Sequence, residues 1–298
     1  MKRIFFAHIA LFIVNLIYAL NYTIAKDVMP GYIEPSGFIL LRVLCGVFIF
    51  SFFYFLFIKE SVEKKDFFRL ALCGLFGVAI NQLFFFEGLN LTTPINAAII
   101  MTVNPVLVII ISALLIGEKI TVKKIIGIVL GIIGAGALIL NSGSVSFDND
   151  FFIGNLLVLI NATSYAIYLV LVKGLMKKYN PLTVMFFVFL FGLFFVLPFG
   201  YQDLNSVNID SFTNDIYLKI LFVVVCTTFI AYLLNAFALK SLNPSIVSIY
   251  IYLQPVLASV IAILYNSDTI DYIKIVSSIF IFIAVFLVSI PTKKVITK

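Results

Sequence analysis

The sequence predicts an all-α integral membrane protein with ten transmembrane helices, arranged as two inverted five-helix repeats. Three observations support this prediction: the composition, the apolar segments and an internal repeat. The 298 residues are 63% hydrophobic and 11% charged, whereas a soluble domain is about half apolar and a quarter charged. A globule in water cannot bury so much apolar surface, but a protein surrounded by lipid does not need to. The net charge of +6 is scattered in short clusters, which argues against a nucleic-acid partner.

Ten segments are long and apolar enough to cross a bilayer, which takes roughly 20 mostly apolar residues. They lie at 4–25, 35–58, 67–89, 93–116, 122–141, 152–173, 181–200, 216–238, 243–265 and 271–290. Short connections predict that consecutive helices pack as antiparallel hairpins. The first segment follows Lys2 and Arg3, as in a signal peptide, but it is longer than the apolar core of one and contains two asparagines. We therefore expect it to be retained.

The basic residues predict the orientation of the chain. If the N-terminus is cytoplasmic, most lysines and arginines lie on the cytoplasmic side, and Lys26, Lys219 and Lys274 lie on the other. Such a bias is typical of cytoplasmic loops. We therefore expect a multi-pass protein of the cell (inner) membrane with both termini in the cytoplasm.

An internal repeat is clearest in the fourth and ninth segments, where Pro94 and Pro105 match Pro244 and Pro255. The third and eighth segments align at the same spacing, and the first and sixth align less closely. The matched pairs include Leu83 with Leu233, Leu89 with Leu239, Tyr18 with Tyr165, and Lys26 with Lys173. We assign the first repeat to 4–141 and the second to 152–290. Because each repeat has an odd number of spans, the second enters the membrane with opposite polarity, as in many transporters.

Two further sequence features concern helix bending and helix contact. Pro105 and Pro255 each remove a backbone hydrogen bond and are expected to bend their helices, either as hinges or as static kinks. Gly127 and Gly131 lie four residues apart and predict close helix packing. The partner is either a helix of the same chain or a second copy in a homodimer, and both alternatives are open.

Polar residues inside the spans are the candidates for a substrate-binding cavity, because hydrocarbon disfavours them. Several recur at helical spacing, for example Asn15, Tyr18 and Tyr22. The full set is Asn15, Tyr18, Tyr22, Asn81, Gln82, Asn104, Asn161, Tyr165, Tyr168, Thr228, Tyr232, Asn235, Ser248 and Gln254. The alternative is that these groups only join helices through hydrogen bonds. For the whole set we favour a central cavity that holds a small polar solute.

Arg42 and Glu87 are the charged residues well inside apolar segments. We expect both in the outer third of the membrane, where an ion pair would reduce the cost of burying either. The pair would act as a structural brace, as an outer gate or, through Glu87, as a protonatable coupling site. With both charges placed there, no unpaired charge is expected in the cavity, and a neutral or zwitterionic solute is favoured.

One set of residues carries a family resemblance: Arg42, Gln82, Gly88, Leu89, Thr92, Ala97, Ala98, Ile99, Asn104, Pro105, Val106, Gly117, Glu118, Gly127 and Gly134. This pattern resembles the EamA family of the drug/metabolite transporter superfamily over nearly the whole chain. The resemblance implies ten helices in two inverted repeats, cytoplasmic termini and export of amino acids or other small metabolites. The second repeat departs from the pattern, with Ser277 where the first has Gly127.

These observations predict a secondary transporter, or permease, that moves a small organic metabolite by alternating access. Uptake of a metabolite or flipping of a lipid-linked solute are alternatives, and a non-transporting sensor or an intramembrane enzyme would belong to another class. The sequence has no metal-ligand cluster, nucleotide-binding motif or catalytic constellation. We therefore expect no enzyme activity and no cofactor, with a small-molecule substrate and the lipid bilayer as partners.

Reporter tags test the inverted arrangement. We expect tags inserted near Asp148–Asp150 and near Lys177–Lys178 to lie on opposite sides of the membrane, because one span separates them. Labelling of intact cells with a membrane-impermeant reagent measures the sidedness of each tag. Finding both tags on the same side would contradict the ten-span arrangement.

Overall fold

The protein is described here by a computed structural model that covers residues 2–58, 60–141, 151–264 and 271–290. In those residues the chain forms helices and no strand. The first repeat contains α1 Lys2–Val28, α2 Pro35–Ile58, α3 Lys64–Leu91, α4 in the two segments Pro94–Met101 and Asn104–Ile116, and α5 Val122–Asn141. The second repeat contains α6 Phe152–Lys178, α7 Pro181–Asn205, α8 Asn214–Ser241, α9 in the three segments Pro244–Ile249, Tyr250–Tyr252 and Leu253–Leu264, and α10 Tyr272–Ser289.

Nine helices in the described part of the chain are long and apolar enough to cross a membrane. Helix α5, which is not among these nine, has 20 residues and packs along α10. The prediction of an all-α membrane protein is thereby confirmed. Several helices run past their predicted bounds; α6, predicted to end at 173, continues to Lys178, whose ammonium pairs with Asp66. Residue 265, the predicted end of the ninth segment, lies outside the described residues.

The two ends of the bundle differ in charge. We call the end that carries Lys64, Lys124 and Lys178 the basic end. The opposite end, which carries Asp203 and Asp215, is the acidic end. Helix α1 runs from the basic end to the acidic end, and each following helix reverses the direction.

Local sequence signals set several helix boundaries. Pro35 and Pro181 lie in the first turn of their helices, where a missing N–H leaves no bond unmade. Asn180 caps α7 by accepting a hydrogen bond from the Leu182 N–H at 3.0 Å. Gly117 ends α4 in the left-handed conformation, with φ 66°, which glycine adopts without a steric penalty.

Helices α2 and α7 pack closely along each other. A Cβ atom added at Gly46 of α2 would lie 2.6 Å from the Phe189 ring, and one added at Gly192 of α7 would lie 2.6 Å from Val78. Gly46 and Gly192 are equivalent in the repeat by the same spacing that relates Pro35 to Pro181. Each repeat therefore uses a glycine at one position to bring its second helix against its neighbours.

Lys26 and Lys173 make equivalent contacts at opposite ends of the bundle. The Lys26 ammonium donates to the Leu89 carbonyl at 2.7 Å, and the Lys173 ammonium donates to the Leu239 carbonyl at 2.6 Å. These carbonyls lie at the C-terminal ends of α3 and α8, where the last turn lacks helical donors and carries a partial negative charge. The weak sequence match between α1 and α6 therefore includes a contact that both repeats preserve.

Helix α4 is interrupted just before its interior proline. Pro105 has no N–H, and the turn at Thr102 bonds back three residues, to the Ile99 carbonyl at 3.0 Å. The Thr102 carbonyl instead accepts a hydrogen bond from the buried Tyr252 hydroxyl at 3.0 Å. Tyr252 is the residue of α9 that matches Thr102 in the repeat, so the two irregular helices contact each other at equivalent points.

The glycines of α5 make room for helices of the same chain. A Cβ atom at Gly131 would lie 2.2 Å from the Tyr252 ring, and one at Gly127 would lie 3.0 Å from the Ala284 carbonyl of α10. Gly134 faces α10 in the same way, at the Ser277 carbonyl. The glycine face is therefore covered within the protomer. Because one glycine face is enough for close contact, α10 needs no matching glycine at Ser277.

We expect Tyr252→Phe to lower the free energy of unfolding by about 0.5–2 kcal/mol, because it leaves the Thr102 carbonyl without a donor in a dry site. Tyr201→Phe is the matched control, since Tyr201 is 65% exposed. Unfolding in detergent, titrated with sodium dodecyl sulfate, measures both variants. Equal stabilities of the two variants would show that this hydrogen bond does not stabilise the kink.

Candidate functional site: a polar central cavity

A cavity lies at the centre of the bundle and is bordered by both repeats. Residues of α1, α2, α3 and α4 line it from the first repeat, and residues of α6, α8 and α9 line it from the second. Its volume, counted as all the space between protein atoms and including its opening, is about 730 Å³. Most of the predicted cavity residues lie in its wall: Asn15, Tyr18, Tyr22, Asn81, Gln82, Asn161, Tyr165, Tyr232, Asn235 and Gln254.

The first helix of each repeat packs against the third and fourth helices of the other repeat. The Gln254 amide of α9 donates to the Asn15 side-chain oxygen of α1 at 2.9 Å. In the other repeat, the Asn104 amide of α4 donates to the Ala162 carbonyl of α6 at 2.7 Å. Asn104 matches Gln254, and Ala162 matches Asn15, so the two contacts are equivalent. The cavity therefore lies where the first helix of each repeat packs against the third and fourth helices of the other repeat.

Two equivalent residues, Gln82 of α3 and Tyr232 of α8, meet directly in the cavity wall. The Tyr232 hydroxyl donates to the Gly77 carbonyl at 2.9 Å and accepts from the Gln82 amide nitrogen at 3.0 Å. Because the hydroxyl proton goes to Gly77, Gln82 presents its nitrogen to Tyr232. The Gln82 carbonyl oxygen is left buried and without a donor among the described residues.

Both third helices contain a π-helical segment at matching positions, Leu75–Ala79 in α3 and Val223–Ile230 in α8. Wider turns free backbone carbonyls, and such turns are frequent at functional sites. The Gly77 carbonyl accepts from Tyr232, and the Val223 carbonyl accepts from the Thr228 hydroxyl at 2.9 Å. A π turn also contains one extra residue, so after it the residue that points in a given direction differs by about one position from the one that regular α-helical spacing predicts.

Other predicted cavity residues lie outside its wall: Asn104, Tyr168, Thr228 and Ser248. Asn104 is fully buried against α6, and Ser248 donates within its own helix, to the Ser245 carbonyl at 3.2 Å. Tyr168 belongs to the predicted stripe of α6 but lies past the end of the cavity, beside Met185 and Gly77. Helical spacing identifies a face of a helix, whereas the cavity occupies only part of its length.

The structure also adds residues to the wall, among them Val14, Asn21, Phe85, Phe86, Met101, Thr227, Val247 and Ile251. Asn21 follows Tyr18 at helical spacing, so this signal was available in the sequence. Thr227 replaces Thr228 because the π segment of α8 shifts the face, and its hydroxyl donates to the Asn21 side-chain oxygen at 3.2 Å. The apolar members carry no signal that separates them from core or lipid-facing residues.

Arg42 corrects two predictions. It lines the cavity, its Nε donates to the Thr228 hydroxyl at 3.0 Å, and its guanidinium carbon lies 4.7 Å from the centre of the Phe86 ring. No ion pair within the described residues joins it to Glu87. Glu87 follows Phe86 by one residue, which turns its side chain about 100° around α3 and away from Arg42. The predicted ion pair and the predicted absence of unpaired charge in the cavity are both wrong.

Several polar groups in the wall have no partner among the described residues. The side-chain oxygens of Gln82 and Asn161 are buried without a hydrogen bond. The Asn161 nitrogen donates to the Asn81 carbonyl at 2.6 Å, which fixes its oxygen as the free atom. Tyr22 and Tyr165 also line the cavity, and their hydroxyls have no hydrogen-bond partner in the described part of the chain. Buried polar groups normally have partners, so this wall is suited to a polar solute.

These features define a multi-pass α-helical membrane protein with two inverted repeats around a polar cavity. The chain belongs to the EamA-like transporter family, whose model matches residues 5–140 and 152–290. This match confirms the resemblance seen in the sequence. Membership of this family places the chain among membrane transporters.

Relatives from three domains of life are similar along most of this chain. The uncharacterized transporter YyaM of Bacillus subtilis (strain 168) is 25% identical, over 81% of this chain and 80% of its own length. An uncharacterized transporter of Archaeoglobus fulgidus is 27% identical, over 77% and 79%. A chloroplastic WAT1-related protein of Arabidopsis thaliana is 26% identical, over 75% of this chain and 55% of its own. A solved crystal structure of a protein aligns with a TM-score of 0.77 and 17% identity, over 95% of this chain and 96% of that one, which shows the shared fold.

Proposed function

We propose that this protein is a secondary transporter that moves a small organic metabolite across the cell (inner) membrane by alternating access. The solute class is an amino acid or a similar small neutral or zwitterionic compound, and the direction is export. The observation that carries this proposal is the polar cavity bordered by both inverted repeats, with polar groups that have no protein partner. Family membership supports transport, and resemblance to exporters in the family supports the direction.

The contacts around the cavity support an exchange between two conformations. Inverted repeats alternate access when the two halves swap conformations around a fixed site. The equivalent contacts of Gln254 with Asn15, and of Asn104 with Ala162, lie where such a swap would act. Each is a single hydrogen bond, which a conformational change can break and remake at small cost.

The irregular helices α4 and α9 are the proposed hinges. Their breaks lie beside Pro105 and Pro255, and both helices contribute to the cavity next to the break, through Met101 and Ile251. A rotation at either break would therefore change the shape of the cavity. The hydrogen bond between Tyr252 and Thr102 links the two hinges, so that they would move together.

The basic end is the proposed cytoplasmic end. Lys64, Lys124 and Lys178 lie there, and cytoplasmic loops are enriched in such residues. In this orientation both termini lie in the cytoplasm. A solute that leaves the cell then enters the cavity from the basic end.

We expect Tyr165→Ala and Gln254→Ala to lower the rate of solute flux at least about tenfold, because each removes a polar group from the cavity wall. Ile160→Ala is the matched control on α6, because Ile160 is 37% exposed and does not line the cavity. The assay is flux from proteoliposomes of the metabolite that accumulates outside cells only when they produce the protein. A sensor would bind this solute without moving it, and cavity variants with normal flux would reject the assigned site.

Glu87 is the proposed site of proton coupling, since it is a partly buried carboxyl within α3. We expect Glu87→Gln to abolish flux driven by a pH gradient and to leave solute exchange intact, because the neutral amide cannot take up a proton. Flux with and without an imposed pH gradient separates the two activities. An unchanged response to the gradient would remove Glu87 from the mechanism.

A further inference from the structure

We propose that Arg42 binds a carboxylate group of the transported solute. This inference rests on the function proposed above and narrows its substrate class. The transported compounds are then amino acids and similar zwitterions. Amines without a carboxylate are excluded.

The charge of Arg42 has no counter-charge in the cavity. The other described residues that line the wall are neutral at neutral pH. Arg42 is only 2% exposed, and its Nη1 atom is buried with no acceptor among the described residues. A buried charge without a partner is strongly unfavourable. An anionic group on the solute would supply the missing partner.

The surroundings of the guanidinium leave one edge of it for a ligand. Nε donates to the Thr228 hydroxyl, and the Phe86 ring lies against the guanidinium plane. Thr228 and Phe86 therefore hold the group in one orientation, with Nη1 unused. A guanidinium presents parallel N–H groups that match the two oxygens of a carboxylate.

The inverted repeat shows that packing does not require this arrangement. The spacing that pairs Gly46 with Gly192 also pairs Arg42 with Val188, and Thr228 matches Val78. Both valines are fully buried. One repeat thus fills these two positions with apolar side chains, whereas the other places a cation and the hydroxyl that orients it. Of the two residues that differ, Arg42 lines the cavity and Thr228 contacts Arg42.

The other free groups favour a carboxylate over a phosphate. A phosphate monoester carries nearly two negative charges at neutral pH, and the described wall offers one cation to meet them. The unpaired oxygens of Gln82 and Asn161 are acceptors, which suit an ammonium group and repel further negative charge. One guanidinium together with free amide oxygens matches the two ends of an amino acid.

The first experiment identifies the solutes. Metabolites are profiled in cells and medium for cells that produce the wild-type protein, cells that produce Arg42→Gln and cells with an empty vector. We expect the compounds whose export depends on the wild-type protein to carry a carboxylate, and we expect Arg42→Gln to lose them. Export of only neutral compounds or of amines would overturn the role of Arg42 and leave the transporter proposal standing. If no compound moves in either direction in a way that depends on the protein, the transporter proposal is overturned, and this inference with it.

The second experiment tests the contact between Arg42 and the solute, by measuring the KM for transport of the exported compound in proteoliposomes. We expect Arg42→Gln to raise KM about 10- to 100-fold, the loss expected for a charged hydrogen bond. Arg42→Lys should raise KM less, because lysine keeps the positive charge but lacks the two parallel N–H groups of the guanidinium. Thr228→Val, which copies the other repeat, should raise KM with little change in kcat, because Thr228 positions the guanidinium. An Arg42→Gln variant that folds and keeps the wild-type KM would overturn the proposal.

A competition experiment needs no variant and covers the case in which Arg42→Gln does not fold. The proteinogenic L-amino acids and their carboxamides are tested as inhibitors of wild-type flux, together with acetate, pyruvate and inorganic phosphate. We expect carboxylates to compete at least about tenfold better than the matched carboxamides. Equal competition by acids and amides would overturn the assignment to a carboxylate, and stronger competition by phosphate would assign Arg42 to a different anion.

Discussion

The hydrocarbon core of a bilayer offers no hydrogen-bond partners, so every irregular stretch of backbone in this protein needs one from another helix. The described structure meets this need with single side chains. Tyr252 donates to the freed carbonyl at the break in α4, and Tyr232 donates to the π turn of α3. Lys173 donates to the end of α8. In these three places irregular backbone is found where a donor from another helix reaches it, and one of the donors, Tyr232, also lines the cavity.

The duplication explains why these donors occur in matched positions. Thr102 and Tyr252 are equivalent residues that contact each other, as are Gln82 and Tyr232. Such self-matched contacts are expected close to a two-fold axis, where each position meets its own copy. An ancestral contact between equal halves can then diverge in chemistry while it keeps its geometry.

Two kinds of contact join the helices: close packing at glycines and hydrogen bonds between single polar groups. The pairs α2–α7 and α5–α10 approach through Gly46 and Gly127, and α7 approaches α3 through Gly192; an added Cβ would clash at each of these glycines. The cavity-lining helices α3 and α6 also pack closely, at Gly88, but helices around the cavity are in addition joined by hydrogen bonds between individual polar groups, such as that between Gln254 and Asn15. Closely packed helices transmit strain with little compression, whereas single hydrogen bonds can break and form again with other partners. The proposed alternation of access would break and remake hydrogen bonds of this kind.

The sequence alone determined the membrane environment, the helices and the repeat, because apolar length and repeated prolines are local properties of the chain. It also identified most polar residues of the cavity wall, since helical spacing places them on one face. It did not determine how far along a helix the cavity extends, or which residues face the cavity where the helix departs from regular geometry. The π segment of α8 moved the wall from Thr228 to Thr227, and Tyr168 lies on the correct face but beyond the cavity. The partner of Arg42 was decided only by tertiary structure, because one residue of rotation on α3 brings Phe86 to the guanidinium and takes Glu87 away from it.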